Sequence, residues 1–291
     1  MTNITTTQWI CPTCGTQYAP SATPPAFCTI CSDDRQYVAR SGQRWTTLAA
    51  ERGRHHTRFE EVEPGIVALR TEPGGVDIGQ QAFLISTPHG NVLWETRAFI
   101  DEATVAEIER RGGVQAIAIS HPHFYTSMGT WSRDLGDVPI HVHADNAPWV
   151  MDTTAQVRFF HDETCDLLPG ITILRTGGHF PGSSILHVQQ PDGTGVILTG
   201  DTIQVVPAEG WVSFLYSYPN LIPMAAASVQ RIVDALEPFP FERLHNSFGT
   251  SLWRDAQDGV RRSAERYIRH ISDPAMQSGP QANIPPTTAS V

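Results

Sequence analysis

The sequence predicts a mixed α/β (α+β) chain with a small zinc-binding module at its N-terminus. Three observations lead to this prediction. Short runs rich in β-branched residues, bounded by glycine and proline, are typical of strands. Segments with apolar residues three and four positions apart indicate amphipathic helices. Two Cys-x-x-Cys pairs near the N-terminus have the spacing of a structural zinc site.

The composition is that of an ordinary globular protein of 291 residues, with 40% hydrophobic and 17% charged residues. The net charge of -10 opposes non-specific binding to nucleic acid and to anionic membranes. No apolar run reaches the roughly 18 residues of a membrane span, and residues 1–8 lack the features of a secretory signal. We therefore expect a cytoplasmic protein that acts on a small-molecule substrate, with no membrane partner.

The two cysteine pairs are Cys11 with Cys14 and Cys28 with Cys31. Two disulfides are the alternative, which the reducing cytosol disfavours. Four thiolates complete a tetrahedral zinc site that leaves no position for a substrate, and so short a module needs the metal for its stability. We predict a zinc ribbon (rubredoxin-like) over residues 1–40. Few basic residues surround it, so we expect a structural role, or docking of a protein partner or a second copy, and not nucleic-acid binding.

The rest of the chain divides into three parts. Residues 41–63 are interpreted as a connector with one short helix, and residues 64–272 as the large domain. Residues 273–291 contain Pro, Gly, Ser and Thr with almost no large apolar side chains, which predicts a disordered tail. The fifth cysteine, Cys165, has acidic neighbours that would raise its pKa, so we expect a structural role for it.

The large domain combines strand-like and helical segments, separated by turn signals such as Gly-Gly and Pro-His-Gly. The predicted strands are residues 67–71, 82–86, 92–94, 114–119, 171–175, 185–188, 196–199 and 211–216. The predicted helices, with apolar residues at helical spacing, are residues 101–112, 224–236 and 255–271.

Metal-binding side chains follow three of these strands. His121 and His123 come after the strand at 114–119, and residues two apart in extended backbone point to the same side, so both imidazoles can reach one ion. His179 follows the strand at 171–175, within Gly-Gly-His-Phe-Pro-Gly-Ser, and Asp201 follows the strand at 196–199, within Leu-Thr-Gly-Asp-Thr.

This order of motifs resembles the metallo-β-lactamase superfamily, whose pattern is His-x-His-x-Asp-His, then Gly-His-x-Pro-Gly-Ser, then Gly-Asp, then a last His. The resemblance covers residues 64–271. It implies an αββα sandwich and a three-histidine metal site of His121, His123 and His179. It also implies that Asp201 lies at the position that bridges two metals. Three imidazoles and a water form a complete open zinc site.

The chain departs from the family pattern at two places. Tyr125 and Thr126 stand where the family has the Asp-His that holds a second metal. The last histidine has two registers: either His245 is this ligand, or Ser247 takes its place and leaves none. We therefore predict one active-site metal, zinc by the resemblance with iron as the alternative, besides the structural zinc of the ribbon.

These residues predict a metal-dependent hydrolase of an ester, thioester, lactone or amide. Asp201 would accept the proton of the attacking water. Tyr125 would either hydrogen-bond the oxyanion or leaving group, or pack as a core aromatic. The alternatives are an iron-dependent redox member of the superfamily and a catalytically silent interaction protein. Aromatic side chains expected to line an apolar pocket are Phe124, Trp131, Trp149, Phe180, Phe214 and Tyr216.

Overall fold

A computed structural model of the chain describes residues 6–190 and 192–272. It contains two large β-sheets, one with seven strands and one with six, and two small two-stranded sheets. The predicted disordered tail, residues 273–291, lies outside the described residues.

The first sheet is formed by consecutive strands. They are β1 (His56–Glu63), β2 (Ile66–Glu72), β3 (Ala82–Thr87), β4 (Gly90–Trp94), β5 (Ala116–Ala118), β6 (Ile140–His143) and β7 (Val157–Phe160). The next strands are β8 (Thr164–Leu168), β9 (Ile171–Arg175), β10 (Ser184–Gln189), β11 (Gly195–Leu198), β12 (Gln204–Val205), β13 (Val212–Ser213), β14 (Leu215–Ser217), β15 (Ile222–Pro223), β16 (Arg243–His245) and β17 (Ser251–Leu252). The second sheet has the order β17-β16-β11-β10-β9-β8.

Five α-helices complete the described structure: α1 (Leu48–Glu51), α2 (Glu102–Arg110), α3 (Met128–Asp134), α4 (Ala226–Leu236) and α5 (Ala256–Ser272). Strands β1 to β4 pair antiparallel, with short turns before β2 and β4 and a longer loop before β3, whereas β4 to β7 pair parallel. Parallel neighbours need a long crossover, and α2 and α3 provide the first two. Asp101 begins α2 because its carboxylate accepts the Thr104 backbone N–H at 2.8 Å.

Alternating side chains place each sheet between two apolar layers. In β4, Leu93 packs toward α2 and α3, whereas Val92 and Trp94 pack against the second sheet. In β11, Ile197 packs against α4 and α5, and Leu198 faces the first sheet. The architecture is therefore the αββα sandwich that the resemblance implies, with the cysteine module before it.

Residues 56–63 correct the predicted connector at 41–63, since they form the edge strand β1 and pair with β2. No side chain of β1 is fully buried, and its sequence is rich in charged residues, so hydropathy carried no strand signal there. The same reason explains why β7 and β8 were not predicted, because both have half-buried or exposed side chains throughout. Cys165 lies half-buried on β8 as a free thiol.

The described helices give no candidate for a bilayer span. The longest of them, α5, has 17 residues and carries charged side chains along its length, and none of the others combines sufficient length with an apolar sequence.

Candidate metal centre

Three loops at one edge of the sandwich carry the predicted ligands. His121 and His123 follow β5, His179 lies between β9 and β10, and Asp201 follows β11. Strands β9 and β11 run in the same direction because both are antiparallel to β10, so their carboxyl ends meet at one edge. The two sheets are tied together there, since the Ser184 N–H donates to the carbonyl oxygen of Ser120 at 3.0 Å.

The four side chains converge on one point. Oδ2 of Asp201 lies 3.2 Å from Nε2 of His121, 3.6 Å from Nδ1 of His123 and 3.8 Å from Nε2 of His179. Nε2 of His179 lies 3.2 Å from Nδ1 of His123. All four residues are buried, and one ligand atom from each lies within 4.8 Å of the others. This is the arrangement of a candidate metal site.

Hydrogen bonds on the far ring nitrogens orient two of the histidines. Nδ1 of His179 lies 3.2 Å from the carbonyl oxygen of Leu215, so it donates its proton there and leaves the Nε2 lone pair toward the site. Nδ1 of His121 lies 2.7 Å from Oγ of Ser120. Such partners fix the ring and the tautomer of a metal-ligating histidine.

The electrostatics of the cluster suit a cation. Burial lowers the pKa of His121 to about 4 and that of His179 well below its usual value, so both rings are neutral at pH 7 with free lone pairs. Burial alone would raise the pKa of Asp201, but the neighbouring histidines outweigh it and keep this pKa below its usual value. Oδ1 of Asp201 and Nε2 of His123 are buried without a protein partner. Three imidazoles and a carboxylate therefore fit the divalent metal that the resemblance implies.

Glu95 supports this site and was missed in the sequence. It follows β4 directly and is fully buried, and it accepts the backbone N–H of Ser120 at 3.1 Å. The hydroxyl of the same serine hydrogen-bonds His121. Its φ of 69° lies in the left-handed region, which is uncommon for a residue other than glycine. Burial raises its pKa well above the usual value. A carboxylate at the end of a buried strand, the signal that identified Asp201, could have found it.

Tyr125 lies in the core of the first sheet and not at the metal cluster. It packs among Phe124, Trp131 and other buried apolar side chains, and its hydroxyl has no hydrogen-bond partner. Burial raises its pKa above the usual value, which disfavours a tyrosinate. Oγ1 of Thr126 pairs with Oγ1 of Thr96 at 2.9 Å. Tyr125 therefore packs as a core aromatic, outside the group of four clustered ligand residues.

His245 also lies away from the ligand cluster. Its Nε2 is 2.6 Å from Oε1 of Glu63, its Nδ1 is 2.7 Å from Oγ of Ser251, and its ring packs against Trp253. Both ring nitrogens of His245 are therefore hydrogen-bonded, because the edge strand β1 supplies the half-buried carboxylate of Glu63, a contact that the sequence did not indicate. Of the two registers considered, the one that makes His245 a ligand is therefore not the arrangement seen, since His245 is not among the four clustered residues.

The four cysteines of the ribbon form a second candidate metal site. The sulfur atoms of Cys11 and Cys31 are 3.6 Å apart, as are those of Cys14 and Cys28, and all four residues are buried. Gly15, with φ of 82°, turns the chain after the first pair. A side chain at Gly15 would meet atoms of the large domain at about 3 Å, so the turn after Cys14 packs closely against that domain.

Arg35 joins the ribbon to the metal cluster. Its Nε donates to the carbonyl oxygen of His179 at 2.6 Å, and its guanidinium carbon lies 4.3 Å from the ring centroid of Phe180 and 4.4 Å from that of Tyr216. Asp33 accepts two hydrogen bonds from the same guanidinium. This contact places the ribbon at the rim of the candidate site.

A cavity of about 350 Å³ opens beside the metal cluster. Its lining includes Thr13, Gln36 and Tyr37 from the ribbon, Asp77, Ile78, Tyr218, Pro219 and Phe248 from the large domain, and the cluster residues His123, His179 and Asp201. The six aromatic residues expected from the sequence do not line it; all six contribute to the buried apolar clusters or to the Arg35 contact instead. The cavity is therefore shared between the ribbon and the large domain.

Comparison with solved structures places the chain in the metallo-β-lactamase fold. The metallo-β-lactamase FIM-1 from Pseudomonas aeruginosa, in its mono-zinc form, matches with a TM-score of 0.54 and 16% identity over 73% of this chain and 96% of that one. A metallo-β-lactamase from Hirschia baltica matches with a TM-score of 0.52 and 15% identity, over 72% and 97% of the two chains. The Flv1 flavodiiron core from Synechocystis sp. PCC6803 has a TM-score of 0.50 and 13% identity, over 74% and 61%. At these identities the likeness concerns the fold alone.

Within this fold, the chain belongs to the family of the protein YmaE. It is 41% identical over 267 residues to "Uncharacterized protein YmaE" of Bacillus subtilis (strain 168). This alignment covers 91% of this chain and 97% of that protein. No family model matches the sequence.

Proposed function

We propose that the chain is a mononuclear, metal-dependent hydrolase of an ester, thioester, lactone or amide. The observation that carries this proposal is the convergence of three imidazoles and the Asp201 carboxylate at the wall of an open cavity. A divalent cation held there, zinc by the preference of this ligand set, would polarise a carbonyl group and lower the pKa of a water molecule.

Asp201 would handle the proton in this reaction. Its Oδ1 has no protein partner, so it is available to orient a water molecule and accept its proton. The water oxygen bonds to the carbonyl carbon, the bond from that carbon to the leaving oxygen, sulfur or nitrogen breaks, and the proton passes to the leaving atom. The hydroxyl of Tyr218 donates to the backbone oxygen of Asp201 at 2.8 Å and so keeps this loop in position.

Asp201→Asn tests this role, because it preserves the shape of the side chain and removes its charge. Turnover of a simple ester should fall by roughly two to four powers of ten, while the three histidines keep the metal. Asp192→Asn, on the exposed turn before β11, is the control and should leave turnover unchanged. Normal turnover by metal-loaded Asp201→Asn would refute the proposed role.

The number and identity of the metals test the proposed site. Tyr125 packs in the apolar core, and Thr126 and His245 form hydrogen bonds outside the cluster. We therefore expect one metal at the histidines and one in the ribbon. Elemental analysis of the purified protein should give two metals per chain, and His121→Ala should retain only the ribbon metal. Iron at the histidine site would favour the redox alternative, and failure to turn over any simple ester would favour an interaction protein.

A further inference from the structure

We propose that the substrate is an uncharged ester or lactone with a flat apolar group, and that the ribbon supplies part of its binding site through Gln36 and Tyr37. This inference rests on the proposed hydrolysis. It extends it by naming a substrate class and residues that determine specificity.

Two aromatic side chains line the cavity while remaining open to solvent. Tyr37 of the ribbon is 50% exposed, and Phe248, in the turn between β16 and β17, is 40% exposed. Ile78 and Pro219 add apolar surface to the same cavity. Exposed aromatic groups in a concave site favour a ligand that covers them, and flat apolar groups stack on aromatic rings. The cavity is therefore suited to an aryl or similarly flat substituent.

The charges around the cavity disfavour an anionic substrate. Its lining carboxylates are Asp77 and Asp201, and no arginine is among the described lining residues of a chain without lysine. Arg97 neutralises Asp77 by donating one hydrogen bond of 3.0 Å to each of its carboxylate oxygens, so this arginine is not free to bind a ligand. The guanidinium of Arg35 is held by Asp33 and by the two aromatic rings. Apart from the metal position itself, the described lining therefore offers no free cationic side chain that would pair with a carboxylate or phosphate of the substrate.

Gln36 offers an uncharged polar anchor. It is 5% exposed, it lines the cavity, and its amide oxygen is buried without any hydrogen-bond partner. The backbone around it is fixed, because its N–H donates to the carbonyl oxygen of Asp33 and its own carbonyl accepts from Asn220, both at 3.0 Å. A buried amide without a partner leaves a hydrogen bond to be made by a ligand. A neutral hydroxyl group or amide N–H of the substrate would donate this hydrogen bond to the Gln36 oxygen.

The test compares phenyl acetate with its anionic analogue 4-acetoxybenzoate, using the metal-loaded protein. We expect kcat/KM to be at least about tenfold higher for phenyl acetate. Tyr37→Ala should raise KM for phenyl acetate about three- to tenfold with little change in kcat, the pattern of a lost binding contact. Phe27→Ala, another exposed ribbon aromatic that is not among the cavity-lining residues, is the matched control. Tyr37→Arg should shift the preference toward 4-acetoxybenzoate.

A binding measurement separates this inference from the proposed reaction. Acetanilide and 4-acetamidobenzoate are the amide counterparts of the two esters. Calorimetry of both with the Asp201→Asn variant, in which turnover is suppressed, reports recognition alone. Binding of acetanilide alone supports the inference even if no ester is hydrolysed, in which case the hydrolase proposal fails by itself. Equal kcat/KM for both esters, equal or absent binding of both amides, or an unchanged KM in Tyr37→Ala would overturn the inference.

Discussion

Replacing Arg35 with alanine should loosen the ribbon from the metal centre. The side chain is only 12% exposed, and its Nε donates to the carbonyl oxygen of His179. A hydrogen bond from a charged donor contributes about 1.5–3 kcal/mol, and cation–π contacts in a partly desolvated site add about 1–2 kcal/mol. The variant also leaves the carboxylate of Asp33 without its partner. We therefore expect a loss of about 3–5 kcal/mol in the free energy of unfolding.

Thermal and urea unfolding of the metal-loaded protein measure this loss. At about 2–4 °C per kcal/mol for a domain of this size, the Tm should fall by about 10 °C. Arg40→Ala is the control, because Arg40 is exposed on the same module and has no contact of this kind. Arg35→Lys should recover little of the stability, since an ammonium group lacks the planar surface that stacks on the rings. An Arg35→Ala variant as stable as Arg40→Ala would refute the reasoning.

Three further predictions follow from the two metal clusters and the edge strand. Cys14→Ser should release one metal per chain by elemental analysis and retain the metal at the histidines; an unchanged metal content would contradict a metal-binding ribbon. His245→Ala should lower the Tm and leave the metal content at two per chain, whereas loss of a metal would restore His245 as a ligand. Burial alone would raise the pKa of Glu63, but its contacts with His245 and Arg243 lower this pKa overall. The ionised carboxylate therefore stabilises the fold at pH values above its unfolded pKa of about 4.3, and this contribution is lost as the pH falls further. Glu63→Gln should therefore flatten the fall in stability between pH 7 and pH 3 in urea titrations, and an unaltered slope would count against the pair.

The interior strands and the ligand set could be predicted from local sequence. Strand β9 has the predicted bounds, 171–175, because Ile171 and Ile173 pack between the sheets and Leu174 packs toward the helices, which makes the segment rich in β-branched and apolar residues. His121 and His123 were predicted as a pair on the assumption of extended backbone, which holds for His121 only, because Pro122–Phe124 form a 3-10 helix. Both imidazoles nevertheless reach the same cluster. His179 and Asp201 were recognisable because each sits in a short motif that follows a strand.

Contacts between distant segments were decided only by the tertiary structure. His245 resembles a ligand in the sequence, but Glu63, which is 182 positions away, occupies its ring nitrogen. Arg35 reaches the backbone of His179 across 144 positions, and no local pattern marks either contact. Gln36 and Tyr37 became candidates for substrate recognition only when the ribbon was seen to line the cavity. Periodicity and motif spacing report what one segment does with its own side chains, whereas packing between segments depends on the whole sandwich and its edge.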